Sequence, residues 1–183
     1  YGPLSDAFGR RVVILGAVAV YVGCSIGCSV AANEHWLLAM RIGQGLSASG
    51  GIVVGRAIIR DAFAGVQAQR VMAQMMLMFA LAPAVAPIVG GWLHEAFGWR
   101  SVFVFLALLG LGTWVWTALS LPETLPAIAR QSIHPRAVAA AYGRALRSSA
   151  FLLLVAIVAL NFGGIFLYIA ASPVVIYQHL HYG

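Results

Sequence analysis

Apolar residues in this chain gather into five long blocks separated by short polar breaks. The blocks cover about 12–32, 36–59, 71–93, 102–121 and 151–177. Each is close to the roughly 20 residues that a helix needs to cross a bilayer core. Backbone groups in hydrocarbon have no water to bond, so each block predicts a helix that satisfies its own hydrogen bonds. The breaks fall at 33–35, 61–69 and 94–101, and a longer polar stretch at 122–149 precedes the last block. The pattern predicts an all-α polytopic membrane bundle of about five transmembrane helices.

Composition agrees with that class. The chain is 62% hydrophobic and 9% charged, against about 25% charged residues in a soluble domain. All eleven basic residues are arginine, for a formal net charge of +6. Those arginines bracket the apolar blocks instead of forming a stripe, which argues against nucleic acid as a partner. With the opening segment placed in the cytoplasm, the inner segments hold Arg10, Arg11, Arg56, Arg60, Arg70, Arg130, Arg136, Arg144 and Arg147. The outer segments then hold only Arg100. That bias sets the first span running outward and residue 183 outside. Trp36, Trp92 and Trp99 then fall near outer span ends and Trp114 and Trp116 towards an inner end, as aromatic belts require. The stretch 136–147 reads either as a basic interfacial helix meeting anionic lipid or as a solvated linker.

One charge breaks the pattern. Arg41 lies inside the second block, and a guanidinium at the centre of a membrane helix costs about 2.5–3.5 kcal/mol on insertion scales and cannot deprotonate to escape. Such a residue faces a protein interior or a wet cavity, with partners. Gln74, in the third block, and Asn161, in the fifth, are the polar candidates for lining a substrate cavity; a helix-packing hydrogen bond is the plainer role for either. Gly23 with Gly27, and Gly51 with Gly55, are spaced for helix contacts. Cys24 and Cys28 share a helix face and read as small buried residues, with too few ligands nearby for a metal. His94 and Glu95 lack the second histidine of a zinc protease motif, because position 98 is glycine. His179 and His181 read as surface residues. No cofactor, metal or enzyme chemistry is expected.

Three motifs carry a resemblance. The opening Gly2-Pro3-Leu4-Ser5-Asp6-Ala7-Phe8-Gly9-Arg10-Arg11 resembles the cytoplasmic signature G-x-L-x-D-R-x-G-R-R of the major facilitator superfamily, with Ala7 in place of the usual basic residue. Gly2 and Gly9 are expected to form its tight turn, and Asp6 to accept from a neighbouring helix N-terminus. Arg41, Gln44 and Gly45 match the R-x-x-Q-G of the drug/proton antiporters. Ala82-Pro83-Ala84-Val85-Ala86-Pro87-Ile88-Val89-Gly90-Gly91 resembles the antiporter signature G-x-x-x-G-P-x-x-G-G, with alanine at both leading glycines. Together with Leu121-Pro122-Glu123-Thr124 and Ala171-Ser172-Pro173, the chain resembles the Bcr/CflA group of bicyclomycin and chloramphenicol efflux pumps.

The resemblance implies several expectations. Residues 1–121 would be part of a six-helix half, 122–149 the central cytoplasmic linker, and 150–183 the first helix of the second half. The chain would be a fragment covering the third to seventh spans, and its opening at Tyr1 in mid-motif reads as a truncation. It would work with the missing helices of the same transporter in a bacterial inner membrane, exchanging a small amphipathic molecule for protons. Arg41, Gln44 and Gly45 would serve proton coupling. Gly2, Asp6, Gly9, Arg10 and Arg11 would form a cytoplasmic gate. Pro83, Pro87, Gly90 and Gly91 would form a helix kink. The rival readings are a metabolite symporter of the same superfamily and a truncated, non-transporting membrane interaction protein.

Overall fold

A computed structural model describes residues 1–126, 128, 130 and 135–174. They form seven helices: α1 Gly2–Phe8, α2 Arg10–Ser29, α3 Glu34–Ala62, α4 Gly65–Phe97, α5 Arg100–Ser120, α6 Pro135–Arg147 and α7 Ser149–Val174. No strand occurs among the described residues. α2, α3, α4 and α5 are each long and apolar enough to cross a membrane, and the count reaches five if the bent pair formed by α6 and α7 is one span. His179 and His181, and the end of the fifth predicted span, lie outside the described residues.

The helices extend into the predicted breaks. The expected nine-residue break at 61–69 shrinks to Phe63 and Ala64, and the break at 94–101 to Gly98 and Trp99. A helix need not stop where hydrocarbon ends, because polar residues beyond the core continue it at little cost. The stops have local causes. Asn33 caps α3 by accepting from Trp36 N at 2.8 Å, which satisfies one of the free donors of the first turn. Gly98 closes α4 at φ 80°, a left-handed conformation that glycine adopts without steric cost.

The opening motif is a helix, not a two-glycine turn. Gly2 sits in the first turn of α1 with Pro3 beside it, where a missing N–H costs nothing. Only Gly9 turns the chain, at φ 99° and ψ 151°.

The chain forms two compact units, Tyr1–Ser132 and Ile133–Gly183. In the first, α2 is the central helix, packed on one side by α3 and on another by α5. Ala17, Ser25 and Cys28 of α2 are buried, as are Gln44, Ser47, Gly50 and Val54 of α3 and Ala107 and Gly110 of α5. Nearly all are small, which lets backbones approach where lipid supplies no hydrophobic drive between helices. A Cβ on Gly43 would meet Cys24 Sγ at 2.6 Å; on Gly50 it would meet the Tyr1 ring at 2.7 Å and Ala17 Cβ at 3.0 Å; on Gly110 it would meet Val22 at 2.9 Å. Of the four glycines expected to make helix contacts, Gly27 does so, against Met40. Gly23, Gly51 and Gly55 have nothing within 4 Å. Spacing cannot say which face of a helix its neighbours cover.

The arrangement matches the topology that the arginines imply. The start of α2 and the ends of α3 and α5 meet at one end, where Arg10 bonds Asp61 and Arg11 bonds the Ala118 carbonyl. At the other end Arg100 donates to the Ala31 carbonyl at 3.0 Å and stacks on Trp99 at 4.5 Å.

α4 is different. It touches α3 and α5, yet none of its residues is buried. It stays helical through Pro83 and Pro87, which leave the carbonyls four residues earlier without their usual donors. Gly90 and Gly91 face open space, so no described helix crosses closely at them.

Candidate functional site

Arg41 lies seven residues, or about 10 Å, into α3 from its outer end. Its side chain is exposed rather than buried in the first unit. Arg41 Nη1 donates to Gln44 Oε1 at 3.2 Å, one helical turn on. Gln44 Nε2 donates in turn to Ser25 Oγ on α2 at 2.6 Å, and Ser25 Oγ donates to the Tyr21 carbonyl at 2.8 Å. Cys28 Sγ lies 3.9 Å from the same Gln44 oxygen. On its other side the guanidinium lies over the Phe103 ring of α5, 5.7 Å from the centroid. A cation over an aromatic face contributes about 0.5–1 kcal/mol at an exposed site.

The result is a relay of short polar contacts across the α2–α3 interface that orients one guanidinium. Gln44 is its hinge: only 3% exposed, it must have both ends of its amide satisfied, and Ser25 and Arg41 do so. A cavity of about 260 Å³ opens beside it, lined by Tyr21, Arg41, Gln44, Gly45 and Ala48. Gly45 has nothing within 4 Å of its Cβ position, so it keeps that wall flat. Among the described residues no carboxylate lies within ion-pair distance of Arg41. Gln74 on α4 is exposed and does not line this cavity. Asn161, on α7, is exposed within the second unit.

Sequence reasoning missed Ser25, Tyr21 and Phe103. Ser25 had a faint signal, since it shares the face of Cys28 in an apolar run. Phe103 had none, because aromatic residues are ordinary in a membrane helix.

The second polar centre is at the inner end. Arg10 is only 4% exposed. Its Nε donates to Asp61 Oδ2 at 2.9 Å, and its Nη1 meets both Asp6 and the Ser5 hydroxyl. One guanidinium thus ties α1, α2 and the end of α3 together. The carboxylate that meets the α2 N-terminus is Glu123, while Asp6 pairs with Arg10. Glu123 Oε1 accepts from Arg10 N at 2.9 Å and Oε2 from Arg11 N at 3.3 Å. Its charge thereby complements the positive end of the α2 dipole. Arg130 Nη2 stands 4.0 Å from the same carboxylate. Three of the chain's five acidic residues, Asp6, Asp61 and Glu123, gather here against Arg10, Arg11 and Arg130. Gly9 makes the approach possible, since a Cβ there would run into the Glu123 carboxylate.

These features define a helical, multi-pass membrane protein with one intramembrane cation beside a cavity and a charge cluster at its arginine-rich end. The family model of the Major Facilitator Superfamily matches residues 1–183, and the chain belongs to that superfamily. An uncharacterized MFS-type transporter of Bacillus subtilis, YdgK, is 34% identical over 98% of this chain and 45% of its own length. A bicyclomycin resistance protein homolog of Haemophilus influenzae is 29% identical over 96% of this chain and 44% of its own length. A chloramphenicol resistance protein of Pseudomonas aeruginosa is 38% identical over 59% of this chain and 26% of its own length. The chain spans about half the length of the first two relatives.

Proposed function

We propose that this chain is part of a drug/proton antiporter of the Bcr/CflA type, in a bacterial inner membrane, that expels small amphipathic molecules by alternating access. Residues 1–121 then belong to the first six-helix half, 122–149 to the cytoplasmic linker and 150–183 to the start of the second half. The described spans correspond to the third to seventh helices. α4, with no buried residue, and the open side of Arg41 are the faces that the remaining helices would cover.

The observation that carries the proposal is Arg41. A fixed positive charge is held in an apolar helix by Gln44 and Phe103, faces a cavity, and has no acidic partner among the described residues. A carboxylate brought to it from another helix would have its pKa lowered by the guanidinium. Substrate entering the cavity would change that coupling, so proton release and substrate binding would become linked. The names of two relatives, a bicyclomycin resistance protein homolog and a chloramphenicol resistance protein, support a small drug-like molecule as the substrate class.

The test is efflux by the complete transporter in cells with and without a proton gradient. Gradient-dependent export that is lost in Arg41→Ala and in Arg41→Lys supports the reading. Export unaffected by an uncoupler, or unchanged in both variants, removes Arg41 from the mechanism. Inward transport of a nutrient would favour the symporter.

A further inference from the structure

We propose that α6 is a surface-lying helix that recognises the anionic headgroups of the cytoplasmic leaflet through Arg144 and Arg147. α6 has the most strongly one-sided apolar pattern of the chain while being polar on average. At about 100° per residue, Val138, Tyr142, Ala145 and Leu146 fall within one arc of about 100°, and Arg144 and Arg147 fall on the opposite side. Part of the stripe is open within its own unit: Tyr142 and Leu146 are each 60% exposed, while Val138 and Ala145 are half-buried. The segment 135–147 carries three arginines and no acidic residue. A helix with a large moment and a basic polar face lies in the interfacial plane.

Geometry within the second unit fits the same placement. α6 (over Val138–Arg147) meets α7 (over Ser149–Ile165) at 82°, with only Ser148 between them. α7 carries no charged residue from Ser149 to Val174. If α7 follows the bilayer normal, a helix at 82° to it lies in the membrane plane. The arginine bias puts that end on the cytoplasmic side, where the leaflet is negative. The charge of the polar face therefore selects anionic lipid over a second protein helix.

Each arginine near such a surface shifts the bound-to-free ratio about fivefold, so the pair contributes about 30-fold. The test uses the complete chain with Cys24→Ala and Cys28→Ala, reconstituted in nanodiscs of phosphatidylcholine with zero or one third phosphatidylglycerol. Spin labels go at Tyr142→Cys, Leu146→Cys, Ala140→Cys and Gly143→Cys, and their collisions with oxygen and with a water-soluble nickel chelate are measured. The proposal predicts labels 142 and 146 oxygen-accessible and labels 140 and 143 nickel-accessible. It further predicts that phosphatidylglycerol sharpens the contrast and that R144Q/R147Q abolishes the sharpening. Four labels equally open to nickel in both lipids would mean a solvated linker and overturn it. Labels at 142 and 146 that exclude both reagents would mean a protein occupant and overturn it. A contrast indifferent to phosphatidylglycerol would remove the headgroup recognition.

Discussion

Replacing Gly9 by alanine should be among the most damaging single-methyl changes in the chain. Gly9 has φ 99° and ψ 151°, a region that only glycine occupies readily, and forcing another residue there costs about 1–3 kcal/mol. The new methyl would also collide with the Glu123 carboxylate. That carboxylate accepts from Arg10 N and Arg11 N at 2.9 and 3.3 Å. Charged hydrogen bonds contribute about 1.5–3 kcal/mol. The Glu123 side chain is 26% exposed, and displaced donors can recruit water, so about 1–2 kcal/mol of that is lost. The expected total is roughly 2–5 kcal/mol. Reversible SDS titration in mixed micelles would measure it, with Gly16→Ala as the control. Gly16 is mid-helix with nothing within 4 Å, so its alanine should be neutral or stabilising by about 1 kcal/mol. A cycle with Glu123→Ala separates the two causes: without the carboxylate, Gly9→Ala should cost only the backbone strain. Equal stability of Gly9→Ala and Gly16→Ala would refute the reasoning. So would an unchanged cost in the Glu123→Ala background, as regards the collision.

Further expectations follow the same logic. Gly50→Ala should destabilise by about 1–3 kcal/mol through overpacking against Tyr1 and Ala17, while its neighbour Gly51→Ala should not; equal effects in an SDS titration would contradict the α2–α3 packing. Ser25→Ala should cost about 1 kcal/mol and loosen Gln44, read as stability together with a weaker proton dependence of export; a stability loss with unaltered coupling would leave the relay purely structural. Asp61→Asn should cost about 1–2 kcal/mol, less than for a fully buried pair because Asp6 still faces Arg10. An immunoblot of native membranes against the segment 127–147 should detect a species near twice the 19.4 kDa of this chain; a species near that mass itself would contradict the proposed two-half transporter.

Much of the fold was legible because the bilayer imposes it. Hydropathy and arginine placement suffice to mark α2, α3, α4 and α5 and their directions, since a charge on the wrong side or a broken helix in lipid is expensive. Helix ends were less legible: α4 runs from Gly65 to Phe97, well past the apolar block, because a helix can project into water. The short helix α1 reads as a turn in the sequence, since one glycine opens it and another follows it, yet only Gly9 bends. Interfaces were legible least. Gly43, Gly50 and Gly110 make close contacts, while Gly23, Gly51 and Gly55 do not, and the choice depends on where α3 and α5 fall around α2. In the site, Arg41 and Gln44 announced themselves as polar residues in an apolar run. Glu123 did not announce its role, because it caps a helix that starts 113 residues earlier in the chain.

The central claim is that Arg41 couples substrate to protons. Its most direct test is proton release from the purified complete transporter in lightly buffered detergent on addition of chloramphenicol or bicyclomycin. The account predicts that the wild type releases protons on binding, and that Arg41→Ala binds the drug with release lost. A wild type that binds without releasing protons, or an Arg41→Ala variant that releases as many as the wild type, would contradict it.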